Sequence, residues 1–151
     1  MKHLIFGVIF KLIFAHNTFA KTAYYSYSAY HYLKKYNHIK TRPISPVKGI
    51  AYRKKFYKGI FIKPYKNQHY VRATLSGKVV FCDYVKYFGY VIIISHRNGL
   101  KTVYARIVKP LVRKNYYVKK GQIIGVISPK KQFYFEVRKR KIPINAVAFL
   151  K

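Results

Sequence analysis

Cysteine is almost absent from this 151-residue chain. Cys82 is the only one, so neither an internal disulfide nor a thiolate metal cluster is available. Trp is missing altogether, while 6 Pro and 8 Gly are ordinary amounts, which sets aside collagen-like and low-complexity chains. Acidic residues are the scarcest class relative to their opposites. Asp83 and Glu136 stand against 32 Lys and Arg, for a formal net charge of +30. Long amphipathic helical periodicity is also lacking, which removes helical bundles and coiled coils from the candidates.

What is present is apolar and aromatic. Hydrophobic residues make up 51% of the chain, with 17 Tyr and 11 Phe, ample material for one folded domain beside a targeting segment and a tail. The positive charge has two readings. One is affinity for polyanions such as nucleic acid, anionic glycans or acidic lipid. The other is coding bias, because Lys, Tyr, Phe, Ile and Asn share AT-rich codons and are enriched together here. Basic residues are scattered, with small clusters only at Arg53-Lys54-Lys55 and Arg138-Lys139-Arg140-Lys141. Either reading predicts salt-sensitive, non-specific polyanion binding.

The chain starts with Met1-Lys2-His3, then Leu4 to Phe10, a break at Lys11, and Leu12-Ile13-Phe14-Ala15. Thr18-Phe19-Ala20 places small residues where a signal peptidase cuts, so residues 1–20 are expected to be a secretory signal peptide. The apolar stretch is short for a bilayer span, and membrane contact is expected only if this leader stays uncleaved. No cysteine follows it to carry a lipid anchor. Export argues against specific nucleic acid as a partner. Residues 21–45 are polar and aromatic without a sustained period and read as a linker or remnant tail, punctuated by Pro43 and Pro46.

From Pro46 to Lys151 the pattern is β throughout. Lys78-Val79-Val80-Phe81 reads as a strand, and Cys82 beside it as a buried structural thiol. Tyr90 to Ser95 is apolar on both parities, which predicts a central strand covered on both faces. Asn98-Gly99 supplies a hairpin turn before the return strand Thr102 to Ile107, because both residues accept positive φ. Gly121 marks a turn before the strand-like Ile123 to Ile127. Gln132 to Arg138 alternates, with Phe133, Phe135 and Val137 on one face and Gln132, Tyr134 and Glu136 on the other. The expected fold class is all-β, an antiparallel sheet or sandwich.

Several segments in order, Pro46-Val47-Lys48-Gly49, Tyr57-Lys58-Gly59-Ile60-Phe61-Ile62, Val71-Arg72-Ala73-Thr74 and Gly77-Lys78-Val79-Val80, resemble the first half of a lysostaphin-type (LytM) zinc endopeptidase domain. Phe88 to His96, Tyr104-Ala105-Arg106, Val118 to Gly125, Phe133 to Arg138 and Ile144-Asn145 resemble the second half. The resemblance covers residues 46–151. It implies that five positions carry the chemistry in active members: two His and one Asp on zinc, with two more His beside the bound water. Zinc requires such lone-pair donors and an open position for water. Here Tyr57, Phe61, Arg106, Gln132 and Tyr134 match those five positions. Neither a bound metal nor another cofactor is therefore expected, and neither is catalysis. His96 falls outside the five, where a structural role is expected.

The same family has a non-catalytic branch of murein hydrolase activators. Tyr57 before Lys58-Gly59, Asp83-Tyr84 before Phe88-Gly89-Tyr90, and Phe133-Tyr134-Phe135-Glu136 are similar to that branch. The coiled-coil region that precedes the domain in such activators has no counterpart in this sequence, and the loop between Gly49 and Tyr57 is short. The resemblance implies a periplasmic location and a cell-wall N-acetylmuramoyl-L-alanine amidase as partner, bound in the groove lined by Tyr57, Phe61, Arg106, Gln132 and Tyr134. The alternative is a module that binds peptidoglycan or an anionic wall polymer directly.

Overall fold

The computed structural model describes residues 42–151. The expected signal peptide at 1–20 and most of the tail at 21–45 lie outside the described residues. In chain order the strands are β1 (Gly49–Tyr52), β2 (Ile60–Pro64), β3 (Tyr70–Arg72), β4 (Gly77–Val85), β5 (Gly89–Ser95), β6 (Leu100–Ile107), β7 (Lys109–Pro110), β8 (Tyr117–Val118), β9 (Ile123–Val126), β10 (Phe133–Lys139) and β11 (Ile142–Ile144). A short helix, α1 (Ala146–Leu150), ends the chain. Its N-terminus is capped by Asn145, whose side-chain oxygen accepts from the amides of Val147 and Ala148. The sequence pattern missed this helix because five residues are too few to show a period.

The large sheet runs β1-β2-β10-β6-β5-β4-β8, with β11 also on β10, and the small one runs β3-β9-β7. All the pairings are antiparallel, as expected. Strand β10 meets β6 along one edge, while β2 and then β11 divide the other. Its neighbours explain why alternation is so clear there. Phe133, Phe135 and Val137 enter the main core with Ile60, Ile62, Ile92, Ile94 and Tyr104, and Val71 and Ile124 of the small sheet join them. Burial of each such side chain contributes about 1.5–3 kcal/mol.

The opposite face of the large sheet is apolar too. Phe61, Val91, Ile93, Val103, Ala105 and Tyr134 form a second buried cluster there. That is why β5 reads as apolar on both parities: it lies between β4 and β6, and Val91 to Ile94 are all buried. The β5–β6 hairpin turns at Asn98 and Gly99, both with positive φ, of 60° and 69°. Cys82 is half-buried rather than fully enclosed, because β4 lies near the sheet edge. Its thiol donates to the Val112 carbonyl at 3.2 Å, and burial, reinforced by the Asp83 charge, raises its pKa.

Hydrogen bonding reaches slightly ahead of Pro46. The Ile44 amide donates to the Thr74 carbonyl at 3.1 Å, tying the preceding segment to the domain.

Candidate functional site

Antiparallel register builds the candidate site. Tyr52 pairs with Phe61, Phe61 with Tyr134, and Tyr134 with Ala105, making one row across β1, β2, β10 and β6. Residues in one row present their side chains on the same face. The loop joining β1 to β2 folds back by a turn in which the Tyr57 amide donates to the Lys54 carbonyl at 3.2 Å, with Phe56 between them at φ 73°. That turn sets Tyr57 on the row, where its ring meets Phe61 edge-on at 4.8 Å and Tyr134 at 5.9 Å. Phe61 and Tyr134 are themselves 5.2 Å apart, and Tyr52 stacks on Phe61 at 6.1 Å.

Arg106 reaches the row by a backbone irregularity. It has φ 66°, and three steps from Tyr104 to Ile107 on β6 oppose two steps from Tyr90 to Ile92 on β5. This is a β-bulge, a device that re-aims a side chain. The Arg106 amide donates to the Phe88 carbonyl at 2.7 Å, and Gly89, at φ 67°, packs against Arg106 where a Cβ would lie 3.2 Å from the Ile107 carbonyl oxygen. The guanidinium then sits 5.1 Å from the centre of the Phe61 ring. Lys54, which the sequence shows only as part of a basic cluster, places its ammonium 4.6 Å from the same centre.

Four of the five sequence-predicted residues thus come together, with Tyr57, Tyr134 and Arg106 each against the Phe61 ring. Their depth differs. Phe61 and Tyr134 are each 1% exposed and form a floor, whereas Tyr57 and Arg106 are half-buried above it. Gln132 precedes β10 by one residue, in phase with Tyr134. Its side-chain oxygen is the one buried side-chain polar atom among the described residues without a hydrogen-bond partner.

A polar chain continues from Tyr134 along the same face of β10. The Gly59 amide donates to the Tyr134 hydroxyl at 3.0 Å, which donates to Glu136 Oε2 at 2.8 Å, and Arg138 Nε donates to Glu136 Oε1 at 2.5 Å. Gly59 is required by close approach, since a Cβ there would sit 2.2 Å from the Phe135 carbonyl oxygen. Burial pushes Glu136 above the usual carboxylate range, although the Arg138 charge and the Tyr134 hydroxyl pull it back. Burial, and then the charge of Glu136, pushes Tyr134 well above an ordinary phenol, so its proton stays in place. The sequence anticipated the shared face of Tyr134 and Glu136 but not the burial of Glu136 and Arg138, which follows from β2 and β11 covering that edge.

The residues present do not fit a zinc ion. Phe61 has no donor atom, the Tyr134 oxygen is committed on both sides, and Arg106 and Lys54 bring positive charge to the ring. Among the described residues no group of three or more His, Cys, Asp or Glu comes together. His96 lies elsewhere, with Nδ1 2.9 Å from the Ser76 carbonyl and Nε2 2.7 Å from the Thr102 hydroxyl, which is 3.0 Å from the hydroxyl of buried Tyr104.

Comparisons with known proteins agree with this architecture. The family described as Peptidase family M23 matches residues 55–146. Stage II sporulation protein Q of Bacillus subtilis (strain 168) is 32% identical over 87 residues, covering 53% of this chain and 31% of its own length. Murein hydrolase activator EnvC of Escherichia coli (strain K12) is 26% identical over 85 residues, covering 53% of this chain and 20% of its own. The chain therefore spans less than a third of the length of these two curated relatives. In fold it is similar to a chain in the crystal structure of the SpoIIIAH and SpoIIQ complex, with TM-score 0.57 and 25% identity over 72% of this chain and 89% of that one.

Proposed function

This chain belongs to peptidase family M23, and we propose that it serves there as a non-catalytic murein hydrolase activator. It binds a periplasmic N-acetylmuramoyl-L-alanine amidase and switches it on during cell-wall splitting at division. The observation that carries this reading is the Phe61 ring, which stands where the resemblance places a zinc ligand and is contacted by Arg106, Lys54, Tyr57 and Tyr134. All five family positions of metal and catalysis hold residues unsuited to hydrolysis. Of these, half-buried Tyr57 and Arg106 suit an interface, because Tyr and Arg are frequent energetic anchors in protein contacts, with Phe61 and Tyr134 as the floor behind them.

Activation follows if the surface binds the open form of the amidase better than the closed form, since only differential affinity shifts an equilibrium. Similarity to a protein named as a murein hydrolase activator, and to one crystallised in a complex with another protein, supports a partner-binding role. Export through the 1–20 leader would bring the 46–151 domain to the periplasm. Among the described residues, no helix is long and apolar enough to cross a membrane.

The test is release of dye-labelled fragments from purified sacculi by the protein alone, an amidase alone, and both together. Release only in the combined tube supports activation, whereas release by the protein alone refutes the non-catalytic reading.

A second reading is direct adhesion to peptidoglycan or an anionic wall polymer. It is favoured by exposed cation–aromatic pairs such as Arg113 on Tyr116 at 4.5 Å and Lys86 on Tyr87 at 5.3 Å. It predicts salt-sensitive retention on sacculi without any amidase.

A further inference from the structure

We infer that Lys54 and Arg106, held over the Phe61 ring, form a receptor for a carboxylate side chain on an acidic segment of the protein partner; this rests on the activator reading and names the chemistry of its docking site. Two cations lie against one aromatic ring, at 4.6 Å and 5.1 Å from its centre. Each gains from the ring's negative face, which fixes the position of a charge that would otherwise sweep through solvent. Neither finds a carboxylate within the domain. Of the two acidic side chains, Glu136 is enclosed with Arg138 and Tyr134, and the Asp83 carboxylate accepts from the Tyr84 amide. Each is a cation held at a set place on the ring without an acidic partner, so a carboxylate that reaches the ring's rim gains from the positive charge there.

The floor favours such a ligand. Phe61 and Tyr134 are closed to water, and Tyr57 walls the ring edge-on, so a bound carboxylate is partly desolvated where charge-assisted hydrogen bonds are stronger. Arg106 offers a planar fork suited to two carboxylate oxygens, and Lys54 a compact point charge. The polarity of the site is thereby reversed. Where the family resemblance puts donors for a cation, this chain holds donors for an anion.

The experiment measures binding of the full chain to a purified amidase and to a terminally blocked peptide of alternating Glu and Ala, with the Gln–Ala peptide as neutral control. Lys54→Met and Arg106→Met are compared with Arg53→Met and Lys55→Met, which remove the same charge from the same or a nearby surface but not from the Phe61 ring. Lys55 lies instead over Phe56. The expected result is a loss of about tenfold or more for each ring variant toward both the amidase and the Glu peptide. The two controls should lose less than about twofold, with melting unchanged in all four.

Equal losses in all four variants would reduce the effect to bulk charge and overturn the receptor. Amidase binding that ignores Lys54 and Arg106 would overturn it while leaving the activator reading standing. Ring-dependent capture of the Glu peptide without amidase binding would keep the receptor and overturn the activator reading. Retention on sacculi that the ring variants alone abolish would assign the carboxylate to the wall and overturn the protein partner.

Discussion

The Tyr134 hydroxyl and the Glu136 carboxylate, two residues apart on β10, share a 2.8 Å hydrogen bond, and the Gly59 amide donates to the same phenol oxygen at 3.0 Å. The phenol therefore holds the β2 entry, the floor of the groove and the buried ion pair together. Tyr134→Phe would keep the ring packing and remove only the oxygen. It should leave the Gly59 amide and Glu136 each short of a partner and destabilise the domain by about 1–3 kcal/mol. Thermal unfolding followed by circular dichroism should show a fall of roughly 4 °C or more.

Glu136→Ala should be harsher, because it strands the Arg138 guanidinium, whose side chain is only 6% exposed. Removing one partner of a buried pair costs about 3–5 kcal/mol. Urea unfolding midpoints for Glu136→Ala, Arg138→Ala and the double variant should show the double less destabilised than the two single changes combined.

The bulge that aims Arg106 can be separated from the charge it delivers. Arg106→Gly suits the φ of 66° and should leave stability nearly unchanged, while abolishing the cation at the Phe61 ring. Gly89→Ala should instead cost about 1–3 kcal/mol, because φ is 67° and the new Cβ crowds the Ile107 carbonyl oxygen. Partner binding should be lost in the first variant and kept in whatever fraction of the second remains folded.

His96 gives the domain a pH dependence of known sign. Burial lowers its pKa, and the Ser76 carbonyl opposes this only in part. The folded state thus disfavours the imidazolium, so the His96 contribution is full above the ordinary imidazole value of 6.5 and declines as pH falls below it through the folded pKa. Urea titrations at pH 7.5 and 5.5 should show a drop in stability that His96→Gln diminishes.

The expectations from sequence differ in physical kind from what they missed. Alternation at Phe133, Phe135 and Val137 was readable because local period decides which face a side chain takes. The Asn98-Gly99 turn was readable because two adjacent residues tolerate positive φ. The small sheet of β3, β9 and β7 was less legible, since strands of two to four residues leave little pattern. Arg106 was singled out through a family position, yet its left-handed backbone has no signature in Arg itself; Gly89 on the neighbouring strand was the available sign. Lys54 escaped notice because its place over Phe61 depends on the long-range register Tyr52–Phe61–Tyr134, which no local period contains. The depth of Phe61 and Tyr134 was likewise a property of the assembled sheet.

The most direct test of the account is amidase-dependent release of dye from sacculi with the wild-type chain and with Arg106→Glu, each also assayed without amidase. The account predicts release only when wild-type chain and amidase are present together, and little above amidase alone for Arg106→Glu. Release by the wild-type chain alone, or full activation by Arg106→Glu, would contradict it.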